Sequence, residues 1–316
     1  MCTLGLLTLA LISRSRDSTS GELSKAGSPA TDAPAGSAGE IDPESARDDV
    51  AGFLERTVLI SGASVTYRVP AALSSLSPGS ADLLPIGVLS GYRSKRNQVR
   101  ATWGKASGSA VFFLVARKEG QWPLAEFDEF QDMILLDLPE VYSQLESVLP
   151  TKVQAWFHAA HTFLPDAPHV MKTDDDSFID VASLRRQLRL LAPAYWGHVF
   201  PSSKVARDAR KNKWALPKSM FRPKVFPPYC TGAGYVLSNT ALGCMLQRVE
   251  DLNYIVLEDV ATGILAQQCG VEPIDSGGVI WVGTAKRKLD PAAREWIVIH
   301  RVDDMEQMER TLRKLH

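Results

Sequence analysis

Three consecutive carboxylates, Asp174, Asp175 and Asp176, follow the apolar run 169–171, with Lys172 and Thr173 in between. Neighbouring carboxylates repel one another, so the triplet is costly unless a cation neutralises it. Oxygen ligands suit a hard ion such as Mn²⁺ or Mg²⁺, which can also bridge a pyrophosphate. An ordinary solvated acidic turn is the alternative. The central glycine and closing glutamate of a calcium loop are missing, so the pattern does not indicate an EF-hand.

A second group of candidates lies in the basic segment 90–103. Ser90 follows a short apolar run, and Arg96 and Arg100 lie in a helix-like stretch that leads to a Thr-Trp pair. Cations and free backbone N–H groups at the carboxyl edge of a sheet are a suitable cradle for a nucleotide. Without other support, the same segment would be interpreted as a solvated helix face.

A separate acidic pair, Glu258 and Asp259, opens a helix-like stretch. We expect a helix N-terminus to keep Asp259 ionised. Simple N-terminal capping is the alternative for this pair.

Glycines and aromatic residues form a third set of candidates. Gly232 and Gly234 lack the third glycine of a dinucleotide fingerprint, so they indicate either close approach of the backbone to a ligand or a tight turn. Trp214, Tyr229 and Tyr235 could stack on sugar rings or pack in the core. His300 lies in the apolar run 297–302, where it could complete a metal site or be a core histidine.

The elements that would position these residues alternate along the chain. Strand-like runs at 84–89, 111–116 and 133–136 are separated by helix-like stretches, and long helices are predicted at 145–163, 183–191, 239–249 and 258–268. This alternation predicts an α/β fold with a mostly parallel sheet flanked by helices. Ligands of such sheets bind beyond the carboxyl ends of the strands.

The N-terminal part has a different composition. Residues 1–12 are almost wholly apolar, which indicates a signal sequence or part of a type II membrane anchor, with a chance apolar terminus as the alternative. Residues 13–81 are predicted to be a largely disordered stem, because much of this segment is Ser, Gly, Ala, Pro and Asp. Within it, 44–55 is helix-like and 57–69 is strand-like. We expect the catalytic domain to span 82–316.

Composition excludes some classes of partner and leaves others open. The 316 residues carry 35 Lys and Arg against 36 Asp and Glu, so nothing indicates a nucleic-acid partner. The four cysteines are too few for a disulfide scaffold and lack the spacing of a zinc site. They could be reduced core thiols or form one bridge, in which Cys230 could pair with Cys244 or Cys269.

Four blocks of sequence together resemble a known family, the β1,3-glycosyltransferases of family 31, which include β1,3-galactosyltransferases and β1,3-N-acetylglucosaminyltransferases. The resemblance covers roughly residues 85–266. The blocks are RNQVRATW at 96–103, E-x-x-x-F-x-D at 126–132, KTDDDSF at 172–178, and PPYCTGAGY at 227–235 with EDV at 258–260.

The resemblance implies a single GT-A (Rossmann-like) domain, a UDP-sugar donor, Mn²⁺ or Mg²⁺ and inversion at the anomeric carbon. It implies Asp259 as the general base and Asp176 as the foremost direct metal ligand. The expected donor contacts are Ser90, Arg96, Arg100, Lys172, Asp174, Asp175, Gly232 and Gly234; the expected metal ligands are Asp174, Asp176 and His300; the expected acceptor contacts are Trp214, Tyr229, Tyr235 and Glu258.

The function implied is a metal-dependent hexosyltransferase, foremost a β1,3-galactosyltransferase, acting on a glycan of a glycoprotein or glycolipid. Its donor would be UDP-galactose or UDP-N-acetylglucosamine, and its location the Golgi membrane, held through the N-terminus with the catalytic domain in the lumen. The alternatives are a β1,3-N-acetylglucosaminyltransferase, a non-catalytic sugar-nucleotide or glycan-binding protein with the same fold, and a metal-dependent hydrolase.

The chain departs from the family pattern at three places. Gln144 stands where the family usually has Asn, and the lysine that normally follows soon after arrives late, as Lys152. These changes leave the start of the helix at 145–163 open. Where many members have a cysteine shortly after the EDV block, this chain has Leu265, which leaves the pairing of Cys230 open.

Overall fold

The computed structural model describes residues 52–71, 73, 76, 83–105, 110–283 and 295–314. These belong to one compact unit, Asp49–His316. The predicted signal or anchor segment 1–12 lies outside the described residues. In the described part, no helix has the length and apolar character needed to cross a membrane.

The strands and helices alternate along the chain. The strands are β1 (Phe53–Ile60), β2 (Ala63–Pro70), β3 (Ile86–Leu89), β4 (Val111–Arg117), β5 (Met133–Pro139), β6 (His169–Asp174), β7 (Ser177–Ile179), β8 (Tyr195–Phe200), β9 (Tyr229–Ser238), β10 (Ile274–Asp275), β11 (Ile280–Trp281) and β12 (Val298–His300). The helices are α1 (Arg93–Ala101), α2 (Leu124–Phe130), α3 (Leu149–Phe163), α4 (Val181–Leu191), α5 (Asn239–Leu246), α6 (Glu258–Gln268) and α7 (Met305–Arg313).

The central sheet has the strand order β1-β2-β5-β4-β3-β6-β9-β8-β10. Its middle strands, β5, β4, β3 and β6, run parallel to one another, whereas β2 pairs with β5 and β9 with β6 in antiparallel fashion. The middle strands are apolar on both faces, as expected for strands that helices cover on both sides. The predicted α/β class, with a sheet flanked by helices, is confirmed.

Helices cover both faces of the sheet and bury two apolar clusters. One cluster lies under α3, α5 and α6, and the other under α1, α4 and α7. Trp156 of α3 packs directly on Gly87 of β3, where a Cβ atom would lie 2.5 Å from the indole nitrogen. The same indole donates to the carbonyl of Met171, 3.0 Å away. Trp156 therefore fixes α3 against the two strands that end at the acidic triplet.

The ordered domain begins earlier than the predicted boundary at residue 82. Residues 53–70, placed by the sequence in the stem, form the hairpin β1–β2, and Tyr67 and Arg68 of β2 pair with β5. The turn uses Ser61 and Gly62, both with positive φ. Because Val65, Tyr67 and Val69 are buried, the hairpin is an integral edge of the sheet. The helix predicted at 44–55 is wrong for residues 53–55, which belong to β1.

The other predicted elements lie close to their observed bounds. The helix predicted at 258–268 has these bounds in α6, and the predicted strands coincide with β3, β4 and β5 within three residues. The helix predicted from residue 145 begins at Leu149, because Tyr142 and Ser147 pair across a turn and Pro150 lies in the first helical turn.

The cysteines form one bridge, but it does not include Cys230. Cys244 of α5 and Cys269, at the end of α6, form a disulfide across 25 residues. Cys230 is a buried free thiol whose backbone N–H donates to the Tyr195 hydroxyl. Cys230 lies in β9 against Gly197 of β8, which places it away from the helix ends that the disulfide joins.

Candidate active site

The acidic triplet lies where two neighbouring parallel strands end. Leu89 of β3 pairs with Asp174 of β6, and the N–H of Asp175 donates to the Leu89 carbonyl. Burial raises the pKa of Asp175 to about 6, although a hydrogen bond from the Ser90 hydroxyl opposes the shift. Ser90 and Asp175 are therefore joined by a hydrogen bond at the carboxyl edge of the sheet.

His300 is brought to the triplet by a second, smaller sheet. β7 follows the triplet directly and pairs with β12, so that His300 lies opposite Ser177. Its Nε2 atom is 3.1 Å from Asp176 Oδ1 and 3.5 Å from Asp174 Oδ2. Burial lowers the pKa of His300, but the hydrogen bond to Asp176 and the charges of Asp174 and Asp176 together outweigh it, so the net shift is upward.

These three side chains fit a divalent metal ion. One ligand atom from each of Asp174, Asp176 and His300 lies within 4.8 Å of the others. Two carboxylate oxygens and an imidazole nitrogen suit a first-row ion that keeps positions for water or phosphate. The three residues predicted as metal ligands are thus brought together.

Lys172 links the triplet to the acidic pair of α6. The lysine lies in β6 and is fully buried. Its Nζ donates to Asp174 Oδ1 at 2.8 Å, to the Gly232 carbonyl at 2.7 Å and to Glu258 Oε1 at 2.6 Å. Burial lowers the pKa of Lys172, but the charges of the two carboxylates outweigh it and raise it overall. The structure therefore makes Lys172 a positioning residue, and its three donors are already used.

Glu258 and Tyr235 are buried partners of Lys172, which differs from the sugar contacts predicted for them. The Tyr235 hydroxyl donates to Glu258 Oε2 at 3.0 Å and lies 3.0 Å from the Thr262 hydroxyl. Burial raises the pKa of Glu258 to about 7. Gly232 is required here, because a Cβ atom would collide with the Glu258 carboxylate.

Gly234 also has a packing role. A Cβ atom there would lie 3.1 Å from the Met171 methyl group and 3.3 Å from a Val298 methyl group. Gly234 is buried and pairs with Thr173 of β6. Its surroundings are core side chains, so it does not provide the donor contact expected from the glycine-containing segment.

Asp259 lies half-buried in the first turn of α6. Its Oδ2 atom accepts from the N–H of Gly232 at 3.3 Å, and its Oδ1 atom accepts from the N–H of Val260 at 2.9 Å. Burial raises the pKa of Asp259, against the charge of Lys172 and these two hydrogen bonds. The helix start thus fixes the carboxylate, but it does not hold the pKa low as we expected.

The two arginines predicted to bind the donor are occupied by carboxylates of the neighbouring segment. Arg96 is 3% exposed and forms two hydrogen bonds with Glu126, at 2.8 and 2.5 Å. Arg100 forms two bonds of 2.8 Å with Asp132 and one of 2.7 Å with Glu126. The motif E-x-x-x-F-x-D therefore supplies the counterions of the basic helix, and neither guanidinium is free for a nucleotide.

Lys95 was not among the predicted site residues, yet its charge lowers the pKa of both Asp175 and Asp176. It is half-buried on α1, and its Nζ lies 3.4 Å from the Val302 carbonyl. Helical periodicity offered a signal: Arg96 and Arg100, four residues apart, share one face, so Lys95 must point elsewhere.

Lys152, the lysine that arrives late at the start of α3, is a second buried lysine beside the site. Lys152 is fully buried and donates to Glu140 at 2.5 Å and to the Ser90 carbonyl at 3.3 Å. Burial lowers the pKa of Lys152. The late lysine thus ties the end of β5 to the loop that contacts Asp175.

Two exposed aromatic rings lie beyond the acidic groups. Trp214, one of the predicted acceptor contacts, is 44% exposed, and Tyr142, which the sequence did not single out, is 59% exposed. Burial and the charges of Asp174 and Asp259 raise the pKa of Tyr142.

Tyr229, another of the predicted acceptor contacts, is half-buried. Its Cβ atom is only 2.5 Å from where a Cβ atom on Gly263 would lie, so its backbone packs closely on α6.

An α/β fold with carboxylates and a histidine gathered at the carboxyl ends of its central strands defines a ligand-binding protein with a candidate divalent-metal centre. The chain belongs to the galactosyltransferase family, whose model matches residues 94–276.

Two human relatives illustrate the similarity. The chain is 30% identical over 241 residues to N-acetyllactosaminide beta-1,3-N-acetylglucosaminyltransferase 4, covering 71% of this chain and 62% of that protein. It is 28% identical over 199 residues to beta-1,3-galactosyltransferase 1, covering 58% and 59%. The matched part thus spans about three fifths of the length of these relatives.

Among solved structures, a glycosyltransferase involved in glycosylation of the major capsid of PBCV-1 aligns over 73% of this chain and 99% of its own, with 8% identity and a TM-score of 0.36. A likeness this distant carries no information about function.

Proposed function

We propose that the protein is an inverting, metal-dependent hexosyltransferase that uses a UDP-sugar, foremost a β1,3-galactosyltransferase acting on a glycan acceptor. The observation that carries the proposal is the two-part arrangement joined by Lys172: a cation-binding cluster on one side and the carboxylate of Asp259 on the other. Family membership and the names of both relatives support it.

Each half of the site has a separate chemical task in this proposal. Asp174, Asp176 and His300 would hold Mn²⁺ or Mg²⁺, which when bound stabilises negative charge on the departing diphosphate. Asp259 takes the proton of the acceptor hydroxyl as its oxygen bonds to the anomeric carbon. The bond from that carbon to the UDP oxygen breaks in the same displacement, so the configuration inverts.

The raised pKa of Asp259 suits a general base, because a carboxylate of ordinary acidity is a poor proton acceptor near neutral pH. Lys172 donates hydrogen bonds to Glu258 and to the Gly232 carbonyl, and the Gly232 N–H in turn donates to the Asp259 carboxylate. Asp175, kept in place by Ser90, is available to the donor ribose, and Lys95 to the diphosphate.

The donor sugar and the cellular location are finer parts of the proposal. A β1,3-N-acetylglucosaminyltransferase is the alternative, supported by the name of the relative with 30% identity. We infer a Golgi lumen location with the N-terminus as membrane anchor; support comes from the disulfide Cys244–Cys269, since disulfides persist in oxidising compartments.

A donor and acceptor array tests the proposal. The full chain with Mn²⁺ is supplied with UDP-galactose or UDP-N-acetylglucosamine and a panel of glycans, and products are examined by linkage analysis. A glycan lengthened through a β1,3 bond is the expected result. Free sugar as the sole product would indicate a hydrolase, and UDP binding without turnover would indicate a binding protein.

A further inference from the structure

A small pocket lies beside the candidate base, and of the roles described above only the acceptor contact expected of Trp214 involves it. It has a volume of about 140 Å³ and is lined mainly by apolar atoms. Its walls come from three segments: Tyr142, Ser143 and Gln144 after β5, Lys213 to Leu216 in the loop before β9, and Val256 and Leu257 before α6. We call it the Tyr142–Trp214 pocket.

The pocket borders the base through the chain itself. Leu257 is the N-cap residue of α6, and Asp259 follows two positions later in the first turn. From the opposite wall, the charges of Asp174 and Asp259 act on the Tyr142 hydroxyl and, after burial, add to the rise of its pKa. A ligand in the pocket would therefore extend toward the carboxylate that we assign as the base.

The chemistry of the walls suits a sugar ring. Tyr142 and Trp214 are large aromatic rings left largely exposed, which is unusual for residues that dominate cores and interfaces. The Lys213 ammonium lies 4.2 Å from the centre of the Trp214 ring, so a cation covers one face of the indole, while 44% of the residue stays exposed. Pockets for whole drug-sized ligands hold roughly 300–1,000 Å³, so this one takes a single ring.

Gln144 holds the two walls together. Its side-chain Nε2 donates to the carbonyls of Ala209 and Asn212, at 3.2 and 3.4 Å. The Asn212 side chain in turn accepts from the backbone N–H of Trp214 at 2.8 Å. The position of Trp214 relative to Tyr142 therefore depends on Gln144, the residue at which the chain departs from its family's asparagine.

The other end of the Tyr142 segment is also fixed. The Tyr254 hydroxyl accepts from the N–H of Ser147 at 2.7 Å and donates to its carbonyl at 3.0 Å. Both sides of the pocket are thus formed in the absence of any ligand, which reduces the ordering cost of binding.

We propose that the Tyr142–Trp214 pocket is the subsite for the acceptor's sugar ring nearest the reacting hydroxyl, with Trp214 and Tyr142 stacking on its apolar face and Gln144 as a positioning residue. This inference rests on the proposed transferase function and names its acceptor site.

Steady-state kinetics of Trp214→Ala and Gln144→Glu test the proposal, with Leu190→Ala as a matched control. Leu190 is another large exposed apolar residue, on α4, at 76% exposure. We expect Trp214→Ala to raise the acceptor KM about tenfold with UDP affinity unchanged, since stacked aromatic pairs contribute on that scale. Gln144→Glu keeps the side-chain shape but loses both N–H donors, so it should raise acceptor KM with kcat less affected.

An unchanged acceptor KM in Trp214→Ala, or an equal loss of UDP affinity, would overturn the pocket assignment. Binding to a glycan array is measured in parallel, because it needs no turnover. A wild-type chain that binds glycans through Trp214 but transfers nothing would refute the transferase function and still support the pocket. Equal glycan binding by the wild type and by Trp214→Ala would refute the pocket assignment and leave the transferase function standing.

Discussion

The Lys172 ammonium nitrogen lies 2.6 Å from Glu258 Oε1, and the same nitrogen lies 2.8 Å from Asp174 Oδ1. One buried cation therefore contacts both the metal-binding cluster and the helix turn that carries Asp259. Replacing Lys172 should therefore disturb both halves at once.

Replacing Lys172 with Met should destabilise the fold and remove activity together. The change leaves the buried Glu258 carboxylate without its counterion, and breaking a buried pair in this way costs about 3–5 kcal/mol. Unfolding by urea measures the loss. The double variant Lys172→Met with Glu258→Gln should recover part of this stability because no buried charge remains unpaired; a purely additive result would contradict the pairing.

Replacing Asp259 with Asn should lower kcat about 10²–10⁴-fold, the usual contribution of a general base. UDP affinity should change little, because the amide keeps the shape of the side chain and its oxygen can still accept one of the two bonds that Gly232 and Val260 donate. Transfer assays and UDP titration measure the two quantities. Glu129→Gln, which removes an exposed carboxylate paired with Arg93, is the control and should be fully active. Full activity in Asp259→Asn would refute the assignment of the base.

Replacing Asp176 with Asn should weaken Mn²⁺ binding by more than about tenfold, since even loss of a residue that only supports a metal ligand costs 10–100-fold. The measurements are the rise in melting temperature on adding Mn²⁺ and the Mn²⁺ dependence of transfer. Asp251→Asn, at an exposed carboxylate, should respond to Mn²⁺ like the wild type. An equal Mn²⁺ response in both variants would exclude Asp176 as a ligand.

Stability should fall as the pH is lowered below about 6.5, partly because of His158. Burial lowers the pKa of His158, and the charges of His161 and Arg56 lower it further. The unfolded chain therefore binds the proton first, at the ordinary histidine pKa near 6.5, and stability falls as the pH drops from there toward the folded pKa.

The variant His158→Gln keeps a hydrogen-bonding group beside the Tyr67 hydroxyl, which lies 2.7 Å from the histidine ring. Its unfolding free energy should depend less on pH below 6.5, by at most ~1.4 kcal/mol per pH unit. Denaturant unfolding at pH 5 to 8 measures this. If the unfolding free energies of the wild type and of His158→Gln changed equally with pH, the pKa of His158 would have to be the same in the folded and the unfolded chain.

Removing the disulfide in the double variant Cys244→Ala and Cys269→Ala should cost about 3 kcal/mol, as loop-closure entropy gives for a loop of this length. The melting temperature should then fall by roughly 6–12 °C for a domain of this size. A reducing agent should produce a similar fall in the wild type and none in the variant. Sensitivity to reduction in the variant would point instead to Cys230.

The sequence predicts those parts of the fold that depend on local pattern. The central strands read as short, wholly apolar runs because helices cover both faces, and α6 has a clear start in its acidic pair. The triplet 174–176 could be placed at the carboxyl edge of the sheet because parallel strands end there, whereas Asp259 could be assigned to the same site only through the family resemblance.

Other features depend on partners that lie far apart in sequence. Arg96 and Arg100 look like free cations until the fold brings Glu126 and Asp132 against them. Tyr142 carries no motif, and its position near Asp259 arises only when its loop meets α6. The hairpin β1–β2 lies outside the alternating pattern of the domain, so composition alone assigned it to the stem.

The pairing of β7 with β12 has a consequence for the order in which the protein is made. Asp174 and Asp176 leave the ribosome well before His300. A nascent chain can build the central sheet and expose the acidic triplet, yet it lacks the third side chain of the candidate metal centre until β12 has been made. A chain that stops before β12 therefore keeps an incomplete cluster of ligand atoms.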